Sequence, residues 1–272
     1  ECVRNLVCVG ADPARIAILD NFCWPSCDDP RNMGALVRAA EACRDGALAY
    51  RTPFISGKDS LKNQFRTQDG RTIMIPPTLL VSGFGIVEDA ARACTMDLKR
   101  AGSVLVVVGT TGARMGGSHR AMLGACAHRD LRLPEVDPAR GARTAQAVAS
   151  CIAGGHVLGA HDLSEGGVLP AVAEMCFAGG LGASIDLARV PVASGGLVDD
   201  ECRAFAEDPH RYVFEVDPAS LGRVEALLDG VAHAVIGHVD DSAALEVVGT
   251  STARERAPID RLQAAWNAPT GG

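Results

Sequence analysis

The run "SVLVVVGTT", residues 103 to 111, sets the strongest limit on what this chain can fold into. From Val104 to Val108 every residue is apolar and all but Leu105 are β-branched, so no side of the segment is left to face water. A strand of that kind must be covered on both faces, which suits a central strand in a layered sheet. The polar turn "MDLKRAG" immediately before it marks a change of composition, and a second domain is expected to open near residue 98.

Strand-like and helix-like runs alternate on both sides of that point. Before it, "RIAILDNFCW" reads as a buried strand, "NMGALVRAAEACRDGALAY" as a helix, "TPFISGKDSLKNQF" as a short strand with a glycine turn and polar loop, and "TLLVSGFGIVED" as a strand. After it come a helix around "RTAQAVASCIAGG", strands at "GASIDLARV" and "HRYVFEVDP", a helix at "LGRVEALLDG", and "HAVIGHVDD" as the last core strand. The expected class is α+β, layered as α/β, in two domains covering 1–97 and 98–272. The tail "NAPTGG" is expected to be loose.

Composition narrows the function classes. With 272 residues, of which 47% are hydrophobic, the chain can bury a real core. A formal charge of −7 argues against a nucleic-acid backbone as the main partner, because phosphate tracking needs clustered Lys and Arg. One phosphate group on a small ligand is still admissible, since local amides and a few cations suffice. Ten scattered cysteines, as in "GACAH" and "AEMCFAGG", read as reduced thiols of a cytoplasmic protein. Cys23 and Cys27 in "CWPSC" lack a second ligand pair for zinc. No signal peptide and no apolar run of roughly 18 residues is present, so no membrane partner is expected. The chain opens on "ECVRN" without Met and within a helical pattern, and is read as an excised fragment.

Four stretches carry candidate chemistry. In "LDNFCWPSCDDP", Asp20 falls at a strand end, where open α/β sheets place ligand contacts, although Asp20 or Asn21 equally suits turn initiation. In "SGKDSLKN", Gly57 permits close backbone approach, Lys58 offers a point charge to phosphate and Ser60 a hydroxyl; a solvated hairpin loop is the plain alternative. Ser118 in "MGGSHR" reads first as a helix N-cap. The densest stretch is "GAHDLSEGGVLPAVAEMCFAGG", where Asp162 and Ser164 are placed to cap a helix starting near Gly167 and Glu165 to meet its positive end. One cap meets that need, so two acids there also suit a divalent cation with oxygen ligands. His161 is a candidate base or a hydrogen-bonded structural histidine.

In order and spacing, "ECVRN", "LDNFCW", "PFISGKDSLKN", "MGGS", "AHDLSEGGVLPAVAEMCFAGG" with "GASIDL", "EDPHRYVFEV" and "VIGHVDD" together resemble the C-terminal half of the phosphoribosylformylglycinamidine synthases, relatives of aminoimidazole ribonucleotide (AIR) synthetase. The resemblance runs from residue 1 to about 250. It implies an incomplete AIR synthetase-like (PurM-like) N-terminal domain over 1–97, lacking its first strands, then a PurM-like C-terminal domain. It also implies an ATP-dependent ligase of purine biosynthesis, which turns formylglycinamide ribonucleotide and glutamine-derived ammonia into the amidine. A non-catalytic repeat holding a structural or regulatory nucleotide is the alternative, and another superfamily member, such as a selenide or thiamine-phosphate kinase, a more distant one.

Carried over by position, the resemblance makes Glu1, Asn5 and Asp162 magnesium ligands and Ser164 a nucleotide contact, while Asp20 and Gly57 become nucleotide contacts and Ser60 a substrate contact. Glu1 and Asn5 are spaced to share one helical face. Lys58 stands where many short-form relatives have an asparagine that binds magnesium; lysine ligates no cation but suits a phosphate. The implied cofactors are ATP or ADP with Mg2+. The implied partners are the ribonucleotide substrate, a glutaminase subunit or domain and a small accessory subunit, with a homodimer of the fragment replacing an absent repeat. On this reading the isolated chain is expected to be inactive.

Overall fold

The structure, a computed structural model, describes residues 1–124, 130–195 and 197–268. The expected features at "GACAH" and in the last four residues of the tail fall largely outside them. Two compact units are present, one of residues 11–88 and one of residues 3–10 with 89–272. The first helix, α1 (Cys2–Cys8), therefore belongs from Val3 onward with the later unit, whereas the sequence division had assigned it to 1–97. Its apolar side explains this: Val3, Val7 and Cys8 are buried, and Cys94 donates its backbone N–H to Val9 O at 3.3 Å.

In the unit of residues 11–88, β1 (Ile16–Cys23) is the middle strand of a three-stranded sheet. The helix α2 (Pro30–Tyr50) follows, capped by Asp29, whose side chain accepts from the Arg31 N–H. Parallel to β1 runs β2 (Phe54–Ser60), then a short hairpin of β3 (Gln64–Arg66) and β4 (Thr72–Met74), and β5 (Thr78–Gly85) pairs antiparallel on the other side of β1. "SGKDS" is thus strand, not the expected glycine turn and loop. Pairing with β1 from Leu19↔Ser56 to Cys23↔Ser60 satisfies its backbone groups in a ladder that no local pattern announces.

The later unit holds a seven-stranded sheet. β6 (Val104–Val108) lies inside it, between β10 (His233–Asp240) and β9 (Tyr212–Val216), and from Leu105 to Val108 it is fully buried. The expectation of a central, doubly covered strand holds, although both neighbours run antiparallel to it. The remaining strands are β7 (Gly159–Asp162) at one edge, β8 (Gly182–Asp186), β11 (Ala244–Val248) and, at the far edge, β12 (Arg254–Pro258). "HAVIGHVDD" is consequently not the last strand of the sheet. Around it are α3 (His119–Met122), α4 (Pro138–Ala153), α5 (Val168–Gly179), α6 (Asp200–Phe205), α7 (Leu221–Leu227) and α8 (Ile259–Trp266). Leu105 and Val107 share a core with Val168, Val172, Met175 and Cys176 of α5, which fixes the entrance of α5 against the sheet. The cysteines of the described residues are free thiols.

Candidate functional site

The later unit gathers several of the candidate residues. Asp162 ends the edge strand β7, paired with Tyr212 of β9, and its carboxylate is 7% exposed. Ser164 Oγ donates to Asp162 Oδ2 at 2.6 Å, and His161 Nδ1 lies 3.3 Å from Asp162 Oδ1. On its other side His161 Nε2 lies 3.1 Å from Glu174 Oε2 of α5. Burial by itself would lower the His161 pKa, but hydrogen bonds with both carboxylates outweigh it and hold the group up at about 9. His161 is therefore an imidazolium at neutral pH, bridging two acids, and not a free base. Burial likewise works to raise the Asp162 pKa, yet His161 and Ser164 keep it below the ordinary value.

Asn5 reaches the same carboxylate from α1. With its amide nitrogen turned toward Asp162, Asn5 donates to Oδ1 at 2.9 Å and to Oδ2 at 3.0 Å. Asn5 is exposed, whereas Asp162 behind it is buried. Glu1 stands one turn earlier and accepts the Asn5 N–H at its backbone oxygen, 3.0 Å, which keeps the two residues on one face as their spacing predicts. Between them sits Arg4, 6% exposed, with Nε fully buried and no hydrogen bond or ion pair among the described residues. Its charge helps hold down the pKa values of Asp162 and His210. A guanidinium buried with its Nε unsatisfied carries a desolvation cost that its through-space attraction to Asp162 offsets only in part.

The helix entrance differs from its sequence reading. Neither Asp162 nor Ser164 caps α5; the N-cap is Gly167, without a side-chain hydrogen bond. Gly166 and Gly167 turn at φ of 80° and 79°, and a Cβ on Gly167 would come within 2.7 Å of Ala206 O. This close approach brings in Glu207, whose Oε1 accepts the Gly166 N–H at 2.7 Å and the His119 N–H at 2.8 Å. One carboxylate thus ties together the starts of α5 and α3. Ser118 does cap α3, accepting the Ala121 N–H. Sequence reasoning quoted "EDPHRYVFEV" without giving Glu207 a role, and passed over Arg4 and Glu174; only the position of Arg4 between the two candidate ligands was a signal.

In the unit of residues 11–88 the candidates divide between two faces. Asp20 and Gly57 are Cα partners across β1 and β2, and a Cβ on Gly57 would lie 2.1 Å from Asp20 Oδ1, so the carboxylate rests on the glycine. Asp20 makes no side-chain hydrogen bond among the described residues, and its charge adds to burial in raising the Cys43 thiol pKa. Strand alternation puts Lys58 and Ser60, partners of Asn21 and Cys23, on the opposite face, where Lys58 Nζ donates to Ser60 Oγ. The fold brings Asp20 to Gly57 and Lys58 to Ser60, but not all four together.

The oxygens of Asp162 and Asn5 suit a hard cation. The Asn5 amide turns its nitrogen to Asp162, so its oxygen is offered to a cation only when the amide turns over. Among the described residues no group of three or more His, Cys, Asp or Glu gathers for a metal, so such a cation would take amide and ligand oxygens as well.

The sequence pattern of the family described as AIR synthase related protein, C-terminal domain, matches residues 100–250. That is more than half of the chain, which belongs to this family. Within it, the chain is similar to the PurL subunit of phosphoribosylformylglycinamidine synthase. The subunit of Beijerinckia indica is 33% identical over 236 residues, covering 86% of this chain and 30% of the relative. That of Alkaliphilus metalliredigens is 32% identical over 279 residues, covering 98% and 34%. The chain thus spans about a third of the length of these curated relatives. The fold also matches a solved structure of PurL from T. maritima complexed with FGAR, at a TM-score of 0.77 and 21% identity, covering 99% of this chain and 42% of that one. The α+β class and its AIR synthetase-like character follow from these matches.

Proposed function

We propose that this chain is part of an ATP-dependent ligase of purine biosynthesis, converting formylglycinamide ribonucleotide and glutamine-derived ammonia to formylglycinamidine ribonucleotide with release of ADP and phosphate. The observation that carries its nucleotide-binding part is the convergence of Asn5 and Asp162 beside the buried, unpartnered Arg4. Similarity to PurL subunits across most of the chain supports the reaction.

In this reading Asn5, Asp162 and Glu1 hold Mg2+, Ser164 contacts the nucleotide and Arg4 meets a phosphate oxygen. The cation, when bound, neutralises charge on the phosphates. The chain's own residues do the positioning. His161, fixed as a cation between Asp162 and Glu174, holds the Asp162 carboxylate in one orientation. The amide of Asn5 has two uses: turned nitrogen first it satisfies Asp162 without metal, and turned oxygen first it becomes a ligand. Glu207 keeps the Gly166 turn closed under Ser164.

Asp20 and Gly57 as nucleotide contacts and Ser60 as a substrate contact belong to the same proposal, with Lys58 beside Ser60 suited to a phosphate. Because they divide between two faces, a nucleotide and a substrate would meet β2 from opposite sides. Leu80 and Phe84, 59% and 62% exposed, stand on β5 beside Asn21 and Ala17, apolar area that a partner repeat or a second copy of the chain would cover. A glutaminase subunit or domain, a small accessory subunit and a cytoplasmic location complete the reading; among the described residues no helix is long and apolar enough to cross a membrane. The divisions 1–97 and 98–272 are proposed as the PurM-like N-terminal and C-terminal types.

The test is product analysis with the intact polypeptide that contains this chain, supplied with the ribonucleotide, ATP, Mg2+ and ammonia. Amidine is expected, and Asp162→Asn should abolish or sharply reduce it. No amidine from the unaltered protein would overturn the reaction, and full activity in Asp162→Asn would reassign the site to a non-catalytic nucleotide.

A further inference from the structure

The entrance of α5 is satisfied from far along the chain. Its N-cap, Gly167, has no side chain to offer, and the amide just before it, that of Gly166, donates to Glu207 Oε1 at 2.7 Å, 41 positions away. The same oxygen accepts the His119 N–H at 2.8 Å, and His119 Nδ1 lies 3.3 Å from it. Two backbone donors on one ionised oxygen hold the carboxylate in place. The segment that carries Glu207 is equally fixed. The buried Arg211 donates from Nε to Asp208 O at 3.2 Å and from Nη1 to Thr111 Oγ1 at 2.8 Å, and Asp208 Oδ2 accepts the Gly112 N–H at 2.8 Å.

A nearer acceptor stands in the loop itself. Ser164 precedes Gly166 by two residues, and a serine hydroxyl that accepts the N–H two residues on makes the ordinary ST-turn of loops. Ser164 makes no such bond among the described residues; its Oγ donates to Asp162 Oδ2 at 2.6 Å, and the turn is closed by the backbone, from the Gly167 N–H to Ser164 O at 3.2 Å. One N–H has one strong acceptor position, and here Glu207 fills it. The hydroxyl is thereby left on the side of Asp162.

We propose that Glu207 is a positioning residue for the nucleotide contact: by taking the Gly166 amide it keeps Ser164 from closing an ST-turn, and so holds the Ser164 hydroxyl beside Asp162. The inference rests on the reading of Ser164 as a nucleotide contact, but the placement of the hydroxyl can be measured without nucleotide, so the two can fail separately.

A crystal structure of the Glu207→Ala protein without nucleotide is expected to show Ser164 Oγ turned to accept the Gly166 N–H. Calorimetric titration with ADP and Mg2+ should then find binding weakened about tenfold in Glu207→Ala. Glu207→Gln, whose amide oxygen can accept both N–H groups, should restore the binding of the unaltered protein, because the turn needs an acceptor and not a charge. Ser164→Ala should weaken binding by itself and add nothing in the Glu207→Ala background. Glu207→Ala should melt close to the unaltered protein, since Ser164 takes over one amide and water the other, at exposed His119. A Ser164 hydroxyl that stays on Asp162 in Glu207→Ala, a Gln variant as weak as the Ala variant, additive losses in the double variant, or a Glu207→Ala protein that fails to fold would each overturn the proposal. No ADP binding by the unaltered protein would overturn the nucleotide reading alone, and the Glu207→Ala structure would still decide what positions Ser164.

Discussion

Asp162, proposed to hold magnesium, and Asp20, proposed to meet a nucleotide, are both aspartates in strands, and the fold treats them in opposite ways. Asp162 is enclosed by Asn5, His161 and Ser164, and His161 is itself held by Glu174. Asp20 rests on Gly57 and makes no side-chain hydrogen bond among the described residues. The first carboxylate is organised before any ligand arrives; the second is organised only by the absence of a side chain opposite it. Preorganisation of that kind is what lets a site bind a cation without reordering its own residues.

Replacing each carboxylate should expose the difference most strongly. Asp162→Ala removes the partner of a buried imidazolium and is expected to cost about 3 kcal/mol of stability, whereas Asp20→Ala should change it by less than about 1 kcal/mol. Chemical denaturation of both variants measures this, and equal losses would erase the comparison. Next in size is Gly57→Ala, expected to cost about 2 kcal/mol by crowding the Asp20 carboxylate. In an Asp20→Ala background the same change should be nearly neutral. A loss that persists there would mean the crowding lies elsewhere.

A third contrast separates the two regions by pH. The His210 pKa is depressed to about 4 from its ordinary 6.5, chiefly by burial and then by Arg4. The unfolded chain therefore binds a proton near pH 6.5 that the folded chain refuses until about pH 4, so this residue's contribution is present above 6.5 and is lost as pH falls toward 4. His210→Gln should flatten the stability profile across that window, and an unchanged slope would assign it to other groups. The 11–88 region has no histidine to add to it.

The same contrast shows what could be read in the sequence. β6 was legible because burial on both faces writes itself into consecutive residues. β7 was not: "GAHD" is too short for a pattern and contains no β-branched residue. β12 escaped because Arg254, Glu255 and Arg256 make it a charged, exposed edge, as sheet edges often are. Asp162 and Asn5, named through their motifs, are brought together by the fold, and Ser118 was legible as a cap. Glu207 was out of reach, because its role depends on backbone amides 41 and 88 positions away in the chain. The cap expected from Ser164 failed for the same reason, since a distant carboxylate had taken over at the Gly166 turn.

Calorimetric titration with ADP, with and without Mg2+, on the unaltered protein and on Asp162→Asn, Asn5→Ala and Asp20→Ala tests the central claim most directly. The account predicts magnesium-dependent binding that weakens at least about tenfold, or about 1.4 kcal/mol, in the Asp162 and Asn5 variants and weakens less in Asp20→Ala. Magnesium-independent binding, or binding that survives Asp162→Asn and disappears in Asp20→Ala, would contradict it.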